Sequence, residues 1–471
     1  MASSRSTTSV LDRSIVEGPI PRAVWLLAWP TAVQNLIGGL QGVVDHALVG
    51  HFVGYAGNAA IGVAIQIFIV VIAFVMSVFT GMGVLVARFA GANDPDKVNR
   101  TVYQAFLAAL VLWGVVLAPL GWFLAPSLLH VVNAAPAVRA QALPFLRITF
   151  VGSIGMLLFF MVSGALRAAG DARTPLRLGV LLTALNIVCN VAFITGAGPL
   201  PRLGTAGAAV GSTVAGLALS GVAVYLLLSG RLPVRWHRGM DWRPDWSVIR
   251  TLFRFGLPTG IQGIAMNVAG VLLLRFIGSL AQSAEAQAAY AVSYGELFSF
   301  ITWTSVGLMG AAATVAGQNL GAGRPERSVH GVHVAAALGL GLAAAIGLLF
   351  LAIPRALLAL FGMTDPVVVG LGTQLLGFLS VSGLFVTVAL TYTGGLQGTG
   401  DTRSPLYISI VSQIVVPLGL CTLLQGTRGL RPADIWTAIL LGHMTRCALS
   451  ILRFRQGRWR DIRVEVEPAG A

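Results

Sequence analysis

Charge is scarce in this 471-residue sequence: only 10% of the residues are Asp, Glu, Lys or Arg, whereas 56% are hydrophobic. A soluble globular protein carries about 25% charged residues. A chain with so few charges cannot cover its surface with groups that water solvates, but a lipid bilayer tolerates an apolar exterior. The composition therefore excludes an ordinary soluble domain and indicates a membrane protein.

Cysteines and catalytic motifs are also sparse. The three cysteines lie in apolar segments, are odd in number and have no metal-site spacing, so we interpret them as small buried hydrophobes. They are Cys189, Cys421 and Cys447. The sequence contains no DDxxD, HExxH or GxxxxGK[ST] motif. We therefore expect no resident metal, no cofactor, no ATP hydrolysis and no enzymatic activity.

Basic residues outnumber acidic residues by 31 to 17. They form no stripe on a polar helix face, so we expect no nucleic-acid partner. They lie mainly in the short breaks between apolar runs: the N-terminal tail and every second break hold 24, and the other breaks hold 5. This asymmetry is the positive-inside pattern, which predicts a protein of the cytoplasmic (inner) membrane with both termini in the cytoplasm. The N-terminal tail does not read as a cleavable signal peptide.

Twelve apolar runs are long enough to cross a bilayer as helices, which takes about 20 residues. They lie near 24–51, 58–86, 101–127, 141–166, 176–196, 205–230, 251–277, 285–314, 329–353, 367–395, 406–425 and 433–453. The longest break is rich in Arg, Trp and Pro, so we expect it to lie along the membrane surface. The predicted organisation is a cytoplasmic tail (1–23), an N-lobe (24–230), a cytoplasmic linker (231–250), a C-lobe (251–455) and a second cytoplasmic tail (456–471).

The chain is a duplicated unit. The pattern Gly-x-Leu-x3-Gly-Asp-x-Arg-x-Pro-Leu in residues 164–176 recurs 230 residues later in residues 394–406. We interpret each copy as a tight cytoplasmic turn in which Asp171 or Asp401 caps the next helix, without a role in substrate binding. Because six spans return the chain to its starting side, the predicted fold class is an all-α membrane protein with twelve transmembrane helices in two parallel-related six-helix bundles.

Three segments carry a family resemblance. The first span reads LAWPTAVQNLIGGLQGVVDHALVGHF, the junction of the fourth and fifth spans reads GALRAAGDARTPLRLGVLLTALNIVCN, and the eighth span ends AAATVAGQNLGAG. Over about residues 16–455 the chain resembles the multidrug and toxic compound extrusion (MATE) transporters. It is most similar to the DinF-like prokaryotic branch, because the acids of the NorM-like branch are missing: the seventh span reads GLPTGIQGIAMNVAGVLLL, and residues 367–400 hold no Asp or Glu.

The resemblance implies secondary active export of amphipathic, often cationic, compounds in exchange for H⁺ or Na⁺, by alternating access at a cleft between the two lobes. The missing acids favour H⁺, because Na⁺ usually needs several oxygen ligands. Two alternatives stay open: a Na⁺-coupled exporter of the same fold, and a flippase of lipid-linked precursors, although flippases usually add spans or carry basic residues in the cleft. We expect a monomer in the lipid bilayer.

Asp45 in the first span is the main candidate for cation coupling. A charged side chain at the bilayer centre costs about 2.5–3.5 kcal/mol on insertion scales, and a buried acid can bind and release a proton. Asn186 and Asn190 lie one helical turn apart in the fifth span, and Ser212 is in the sixth. The resemblance implies that both Asn residues lie near Asp45, and relatives carry Asp where this chain has Asn190. We predict a hydrogen-bonded cluster of these four residues, with ordinary interhelical packing as the alternative.

Glu296 is the C-lobe candidate for cation coupling. The alternative is a structural partner of a Tyr or Arg, with Arg88 and Arg147 at suitable depths. Pro30 lies fifteen residues before Asp45 and favours a bend in the first span. The resemblance implies that this span straightens or kinks on protonation, with a static kink as the alternative.

Other polar or amphipathic side chains within the spans are weaker candidates. They are Gln34, Gln41, Gln262, Asn267, Tyr290, Tyr294 and Trp303. We expect some of them to line the substrate cleft and the others to pack between helices. His46 points about 100° away from Asp45 on the same helix, so we interpret it as an interfacial side chain rather than a proton relay.

Overall fold

The structure is a computed structural model that describes residue 11 and residues 13–132, 135–237 and 239–464. Twelve of its helices are long and apolar enough to cross a membrane. We number them α1 to α12: Ile20–Phe52, Tyr55–Gly91, Pro95–Val131, Pro136–Ala168, Arg173–Thr195, Thr205–Leu228, Trp246–Gly278, Ser283–Gly321, Pro325–Ala352, Pro366–Thr399, Arg403–Thr427 and Pro432–Arg455. The all-α fold and the twelve spans predicted from the sequence are confirmed.

Several helices begin before the apolar runs do. The α3 helix begins at Pro95, where the Asp94 carboxylate accepts a hydrogen bond from the Lys97 backbone N–H at 3.0 Å. Asp365 caps α10 in the same way, accepting from the backbone N–H groups of Val367 and Val368 at 2.9 and 3.0 Å. These caps satisfy N–H groups that have no partner within the helix, so the polar first turn remains helical.

Three helices contain π-helical segments, in which each turn takes up more residues than in an α-helix. They are Leu112–Leu117 in α3, Ala291–Leu297 in α8 and Val411–Val415 in α11. Such a segment rotates the side chains that follow it relative to a regular helix. No feature of the sequence predicted these segments.

The chain divides into two compact units. Unit 1 contains residues 33–260, and unit 2 contains residues 14–32 and 261–463. The division falls inside α1 and α7, so each of these helices contributes its first part to one unit and its second part to the other. The linker predicted between the lobes belongs wholly to unit 1.

The fourth helix of each half is the centre of its unit. In unit 1, α4 packs against α2, α3 and α6, and in unit 2, α10 packs against α8, α9 and α12. Glycine allows close contact in both units. A Cβ atom at Gly155 of α4 would lie 2.5 Å from the Leu217 backbone nitrogen of α6, and one at Gly398 of α10 would lie 2.0 Å from the Ala313 carbonyl of α8.

The repeated turn motif forms the predicted caps. Asp171 accepts hydrogen bonds from the backbone N–H groups of Arg173 and Thr174, both at 3.0 Å. Asp401 accepts from the backbone N–H of Ser404 at 3.2 Å and from its hydroxyl at 2.8 Å. The glycine before each Asp has a left-handed backbone, with φ of 107° at position 170 and 101° at position 400. The left-handed conformation favours glycine, which explains why a glycine precedes the Asp in both copies of the motif.

The linker between α6 and α7 is anchored to α3. Gln104 of α3 donates to the Arg243 carbonyl at 2.8 Å and accepts from the Asp245 backbone N–H at 3.0 Å. The Tyr103 hydroxyl donates to the Trp242 carbonyl at 2.9 Å. An ion pair of 2.6 Å joins the Arg100 guanidinium to the Asp245 carboxylate. These bonds satisfy backbone groups of the linker that would otherwise lack partners.

Candidate functional site

A chain of side-chain hydrogen bonds links three helices of unit 1. The Asn190 amide of α5 donates to the Asp45 carboxylate of α1 at 2.8 Å and to the Asn186 carbonyl oxygen, one turn away, at 3.0 Å. The Asn186 amide donates in turn to the Ser212 hydroxyl of α6 at 2.9 Å. The structure therefore brings together the four residues that the sequence predicted as a cluster. We call these four residues the Asp45 cluster.

Burial gives the Asp45 cluster its chemical character. Asn186 is 2% exposed and Asn190 is fully buried, whereas Asp45 is half-buried. The Oδ1 atom of Asn190 is buried and has no hydrogen-bond partner. A side-chain amide offers both donors and an acceptor, so the cluster holds a carboxylate next to a buried oxygen that is free to accept. A proton on Asp45 would supply a hydrogen-bond donor for this oxygen, and a small cation would supply an ion for it to coordinate.

Gly211 of α6 makes room for the cluster. A Cβ atom at this position would lie 2.3 Å from Asn190 Oδ1 and 2.7 Å from the Asn190 backbone nitrogen. Any larger residue would therefore push α6 away from α5. Gly211 could not be predicted from the sequence, because the chain contains 57 glycines and nothing in their pattern distinguishes this one.

His46 is held beside the cluster. Its Nδ1 atom is hydrogen-bonded to Asn58 Oδ1 of α2, and the ring is half-buried. The sequence suggested an interfacial side chain and did not predict this contact. His46 therefore joins α1 to α2 one residue after Asp45.

The family model for MatE matches residues 30–192 and 258–423. The chain belongs to the MatE family. The family model matches each half of the duplicated sequence, so each half contains one copy of the unit that the model describes. Members of this family are transporters, and the chain is a multi-pass membrane protein.

Similar proteins agree with this assignment. The chain is 31% identical over 458 residues to a probable multidrug resistance protein NorM of Deinococcus radiodurans, covering 93% of this chain and 96% of that protein. It is 26% identical over 435 residues to a probable multidrug resistance protein NorM of Thermotoga maritima, covering 92% of both. Membership of the DinF-like branch stays a prediction, which depends on the absence of acids from the seventh and tenth spans.

Solved structures share the fold. A multidrug resistance MATE family transporter of the MOP superfamily, in an outward-facing conformation, matches with a TM-score of 0.87 at 21% identity, covering 98% of this chain and all of that one. A MOP superfamily transporter from Pyrococcus furiosus matches with the same score and identity. At this level of identity the similarity shows the fold alone.

Pro30 of this MatE transporter lies inside α1 and is buried. The neighbouring Thr31 hydroxyl donates to the Leu27 carbonyl, one turn earlier, at 2.8 Å. Proline removes one backbone hydrogen bond, and a threonine that bonds to the preceding turn often accompanies a helix bend. The boundary between the two compact units follows Ala32, so α1 leaves one unit and enters the other just after this proline.

Glu296 is exposed and lies in the π-helical segment of α8. The suggested pairing with Arg88 or Arg147 stays a prediction. Arg147 lies over the Trp122 ring, 5.1 Å from its centroid, and donates to the Trp122 carbonyl at 3.1 Å. A role of Glu296 in coupling remains a prediction.

The two glutamines of α1 bind neighbouring helices of unit 1. Gln34 accepts a hydrogen bond from the Arg167 guanidinium of α4 at 3.0 Å, and Gln41 accepts from the Thr183 hydroxyl of α5 at 2.9 Å. Both side chains are half-buried. Their hydrogen bonds show that they hold helices together, and a contact with substrate remains a prediction.

The polar candidates of α7 differ in their surroundings. Gln262 is buried, donates to the Ser409 hydroxyl at 2.7 Å and accepts from the Gln397 amide at 3.4 Å. Asn267 is exposed and donates to the Gly263 carbonyl of its own helix at 2.9 Å. Gln262 therefore has a packing role within unit 2, whereas Asn267 presents its side chain on the outside of unit 2.

Two of the three aromatic candidates of α8 lie next to one another. The Tyr290 and Tyr294 rings stack with centroids 4.9 Å apart, and Trp303 makes an edge contact with Phe300 at 5.9 Å. Tyr290 is buried and Trp303 is half-buried. Cleft lining by these residues remains a prediction.

Proposed function

We propose that this MatE transporter exports amphipathic, often cationic, compounds across the inner membrane in exchange for protons, and that Asp45 binds the exchanged proton. The observation that carries this proposal is the hydrogen-bond chain from Asp45 through Asn190 and Asn186 to Ser212. Relatives that match almost the whole chain are named multidrug resistance proteins. Those names support multidrug export. The amphipathic, often cationic, substrate class is what the family resemblance implies, and the choice of ion depends on the chemistry of the cluster.

The proton has two distinct effects on the Asp45 cluster. Without it, the carboxylate only accepts hydrogen bonds, as it does from the Asn190 amide. With it, the carboxyl group gains a donor, and the adjacent Asn190 Oδ1 is a buried acceptor without a partner. Binding and release of the proton therefore change which bonds join α1 to α5. Because α1 also contains Pro30, a change at Asp45 can alter the bend of the helix.

Alternating access would follow from such a bend. The α1 and α7 helices each pass from one compact unit to the other shortly after an internal proline, Pro30 and Pro258. A change of bend at these prolines would swing the two parts of each helix relative to one another.

We propose that the protein acts as a monomer with both termini in the cytoplasm.

Sodium coupling is the second candidate. The Asp45 carboxylate, the Asn186 and Asn190 carbonyl oxygens and the Ser212 hydroxyl are all oxygen ligands, which suit a hard cation. The unpartnered Asn190 oxygen favours this alternative as well. The proton is preferred because only one carboxylate is present in the cluster.

The test is export from proteoliposomes driven by an imposed pH gradient or an imposed Na⁺ gradient, each applied alone, with a panel of cationic dyes. We expect the pH gradient to drive export in the parent protein and to fail in Asp45→Asn. Asp96→Asn is the matched control, because it makes the same substitution at an exposed acid in the first turn of α3. Export by Asp45→Asn at the parental rate would contradict the proposal, and export driven only by Na⁺ would favour the second candidate. Size-exclusion profiles establish that each variant is folded.

A further inference from the structure

Unit 2 contains a buried cluster of unsatisfied donors on α12. Arg446 is 6% exposed and His443 is 3% exposed, and Trp436 and Ser450 are fully buried. Trp436, His443 and Ser450 are spaced seven residues apart, and Arg446 follows His443 by three, so all four lie along one side of the helix. We call these four residues the Arg446 cluster.

An aromatic ladder on α8 packs against this side of α12. The Tyr290 ring stacks on Trp436 with centroids 6.2 Å apart, and Phe298 stacks on His443 at 5.8 Å. Tyr294 lies between them, 4.9 Å from Tyr290 and 5.3 Å from Phe298. The π-helical segment of α8 contains Tyr294. The ladder therefore forms one wall of the Arg446 cluster, and it supplies three rings, two of them phenols, but no carboxylate.

The charge of Arg446 is not compensated by an acid. In the described residues the ion pairs of α12 join Arg428 to Asp434 and Arg453 to Asp401, and none involves Arg446. The guanidinium interacts electrostatically with Tyr294 and His443, neither of which is an anion at neutral pH. An arginine stays protonated in proteins, so a positive charge is buried here without a partner of opposite sign.

Four polar atoms of the cluster also lack hydrogen-bond partners. They are Arg446 Nε, His443 Nδ1, Ser450 Oγ and Trp436 Nε1, and each is buried. A guanidinium N–H, an indole N–H and a hydroxyl are donors, and the imidazole can also present an N–H. Buried donors are normally paired, and a group of them next to an unpaired cation selects a ligand that accepts hydrogen bonds and carries negative charge.

We propose that Arg446, as the charged ligand, and His443 and Ser450, each about one turn away from it, form a binding site for a monovalent anion. Trp436 lies ten residues, or about 15 Å, before Arg446 along the helix, so it is not a ligand of the same anion. Two sources share this chemistry: a halide from the medium, and the carboxylate of a transported compound. The site lies wholly within unit 2, and its occupancy does not require proton exchange at Asp45. Binding can therefore be measured in the absence of any gradient.

The first experiment uses thermal unfolding of the purified protein at constant ionic strength, with gluconate replaced stepwise by bromide. We expect the melting temperature to rise with bromide and to saturate, because a ligand that binds the folded state stabilises it. In Arg446→Gln the apparent bromide affinity should fall about tenfold or more, which is the loss that one charge-assisted hydrogen bond gives. Arg275→Gln is the control, because Arg275 of α7 is an exposed arginine of the same unit and its removal should leave the bromide response unchanged.

The second experiment separates the two sources and does not depend on a variant that folds. Crystals of the parent protein grown in bromide should show an anomalous peak within hydrogen-bond distance of the Arg446 guanidinium. Benzoate that lowers the apparent bromide affinity would identify a site that also accepts carboxylates, and benzoate without effect would identify a halide site. Absence of a saturable bromide response together with absence of the peak would overturn the proposal. A parental bromide response in folded Arg446→Gln would overturn it as well.

Discussion

The Asn190 amide lies 2.8 Å from the Asp45 carboxylate, while its own carbonyl oxygen is buried without a partner. This pair joins α1 to α5 at the one acid of the cluster. Because an asparagine and an aspartate have nearly the same shape, the pair can be changed in charge with little change in volume. It is therefore the most informative point at which to alter the ion preference of the transporter.

Asn190→Asp should introduce a response to Na⁺. Two carboxylates within hydrogen-bond distance repel one another when both are ionised, and a cation between them relieves the repulsion. We expect an imposed Na⁺ gradient to drive dye export at least several-fold faster in this variant than in the parent. Asn267→Asp adds an acid at an exposed site of α7 and should retain the parental ion dependence. If Asn190→Asp also retains the parental ion dependence, the Asp45 cluster does not select the coupling ion.

Gly211→Ala should impair both stability and export. The added methyl group would lie 2.3 Å from Asn190 Oδ1, and overpacking of this kind costs about 1–3 kcal/mol. Gly221 is on the same helix with nothing within 4 Å of a Cβ atom. Gly221→Ala should therefore leave the protein unchanged or slightly more stable. Melting temperature in detergent and dye export in proteoliposomes would measure both effects, and equal behaviour of the two variants would contradict the packing argument.

The twelve spans could be predicted because length and hydropathy alone determine them in a bilayer. The Asp45 cluster could also be predicted, since Asn186 and Asn190 lie one turn apart and the family resemblance pointed to the first span. The role of Gly211 could not be predicted, because close contact between helices depends on how they cross. Helix ends such as Pro95 lay outside the apolar runs because polar caps extend the helix.

The Arg446 cluster could not be predicted from the sequence, for a different reason. Its members lie on α12 and pack against the aromatic ladder of α8, and no local pattern connects the two helices. The sequence indicated Tyr290 and Tyr294 as candidates for the cleft, but it assigned them no partner. No feature of the sequence pointed to Arg446 either. Only the packing of the two helices brings it next to the aromatic ladder.

Asp401→Asn should destabilise the protein more than Asp171→Asn. Asparagine caps a helix about as well as aspartate, so both variants should retain the cap. Only Asp401 also forms an ion pair, in which the Arg453 guanidinium lies 2.8 Å away, with side-chain exposures of 25% for Arg453 and 6% for Asp401. A hydrogen bond to a charged group contributes about 1.5–3 kcal/mol. Thermal unfolding would compare the variants, and equal melting temperatures would mean that the ion pair contributes nothing measurable.

Pro258→Ala should reduce export about as strongly as Pro30→Ala. Both prolines lie inside helices that change compact unit within a few residues, after Ala32 in α1 and after Gly260 in α7. If bending at these points accompanies transport, a straighter helix should slow it. Pro144 of α4 is also inside a helix but lies within one unit, so Pro144→Ala is the control. Initial rates of dye export at equal protein incorporation measure the effect, and a full rate in Pro258→Ala would restrict the bend to α1.

Gln104→Leu should release the linker from α3. The substitution removes the donor to the Arg243 carbonyl and the acceptor of the Asp245 N–H at a fully buried position, and each unpaired backbone group costs about 1–3 kcal/mol. We expect chymotrypsin to cleave after the exposed Trp242 at least several-fold faster in this variant. Tyr103→Phe keeps the ring and removes only the bond to the Trp242 carbonyl, so its cleavage rate should lie between those of the parent and Gln104→Leu. Cleavage confined to the linker would indicate local release, whereas global unfolding would expose aromatic residues throughout the chain. The fragments seen by mass spectrometry distinguish the two.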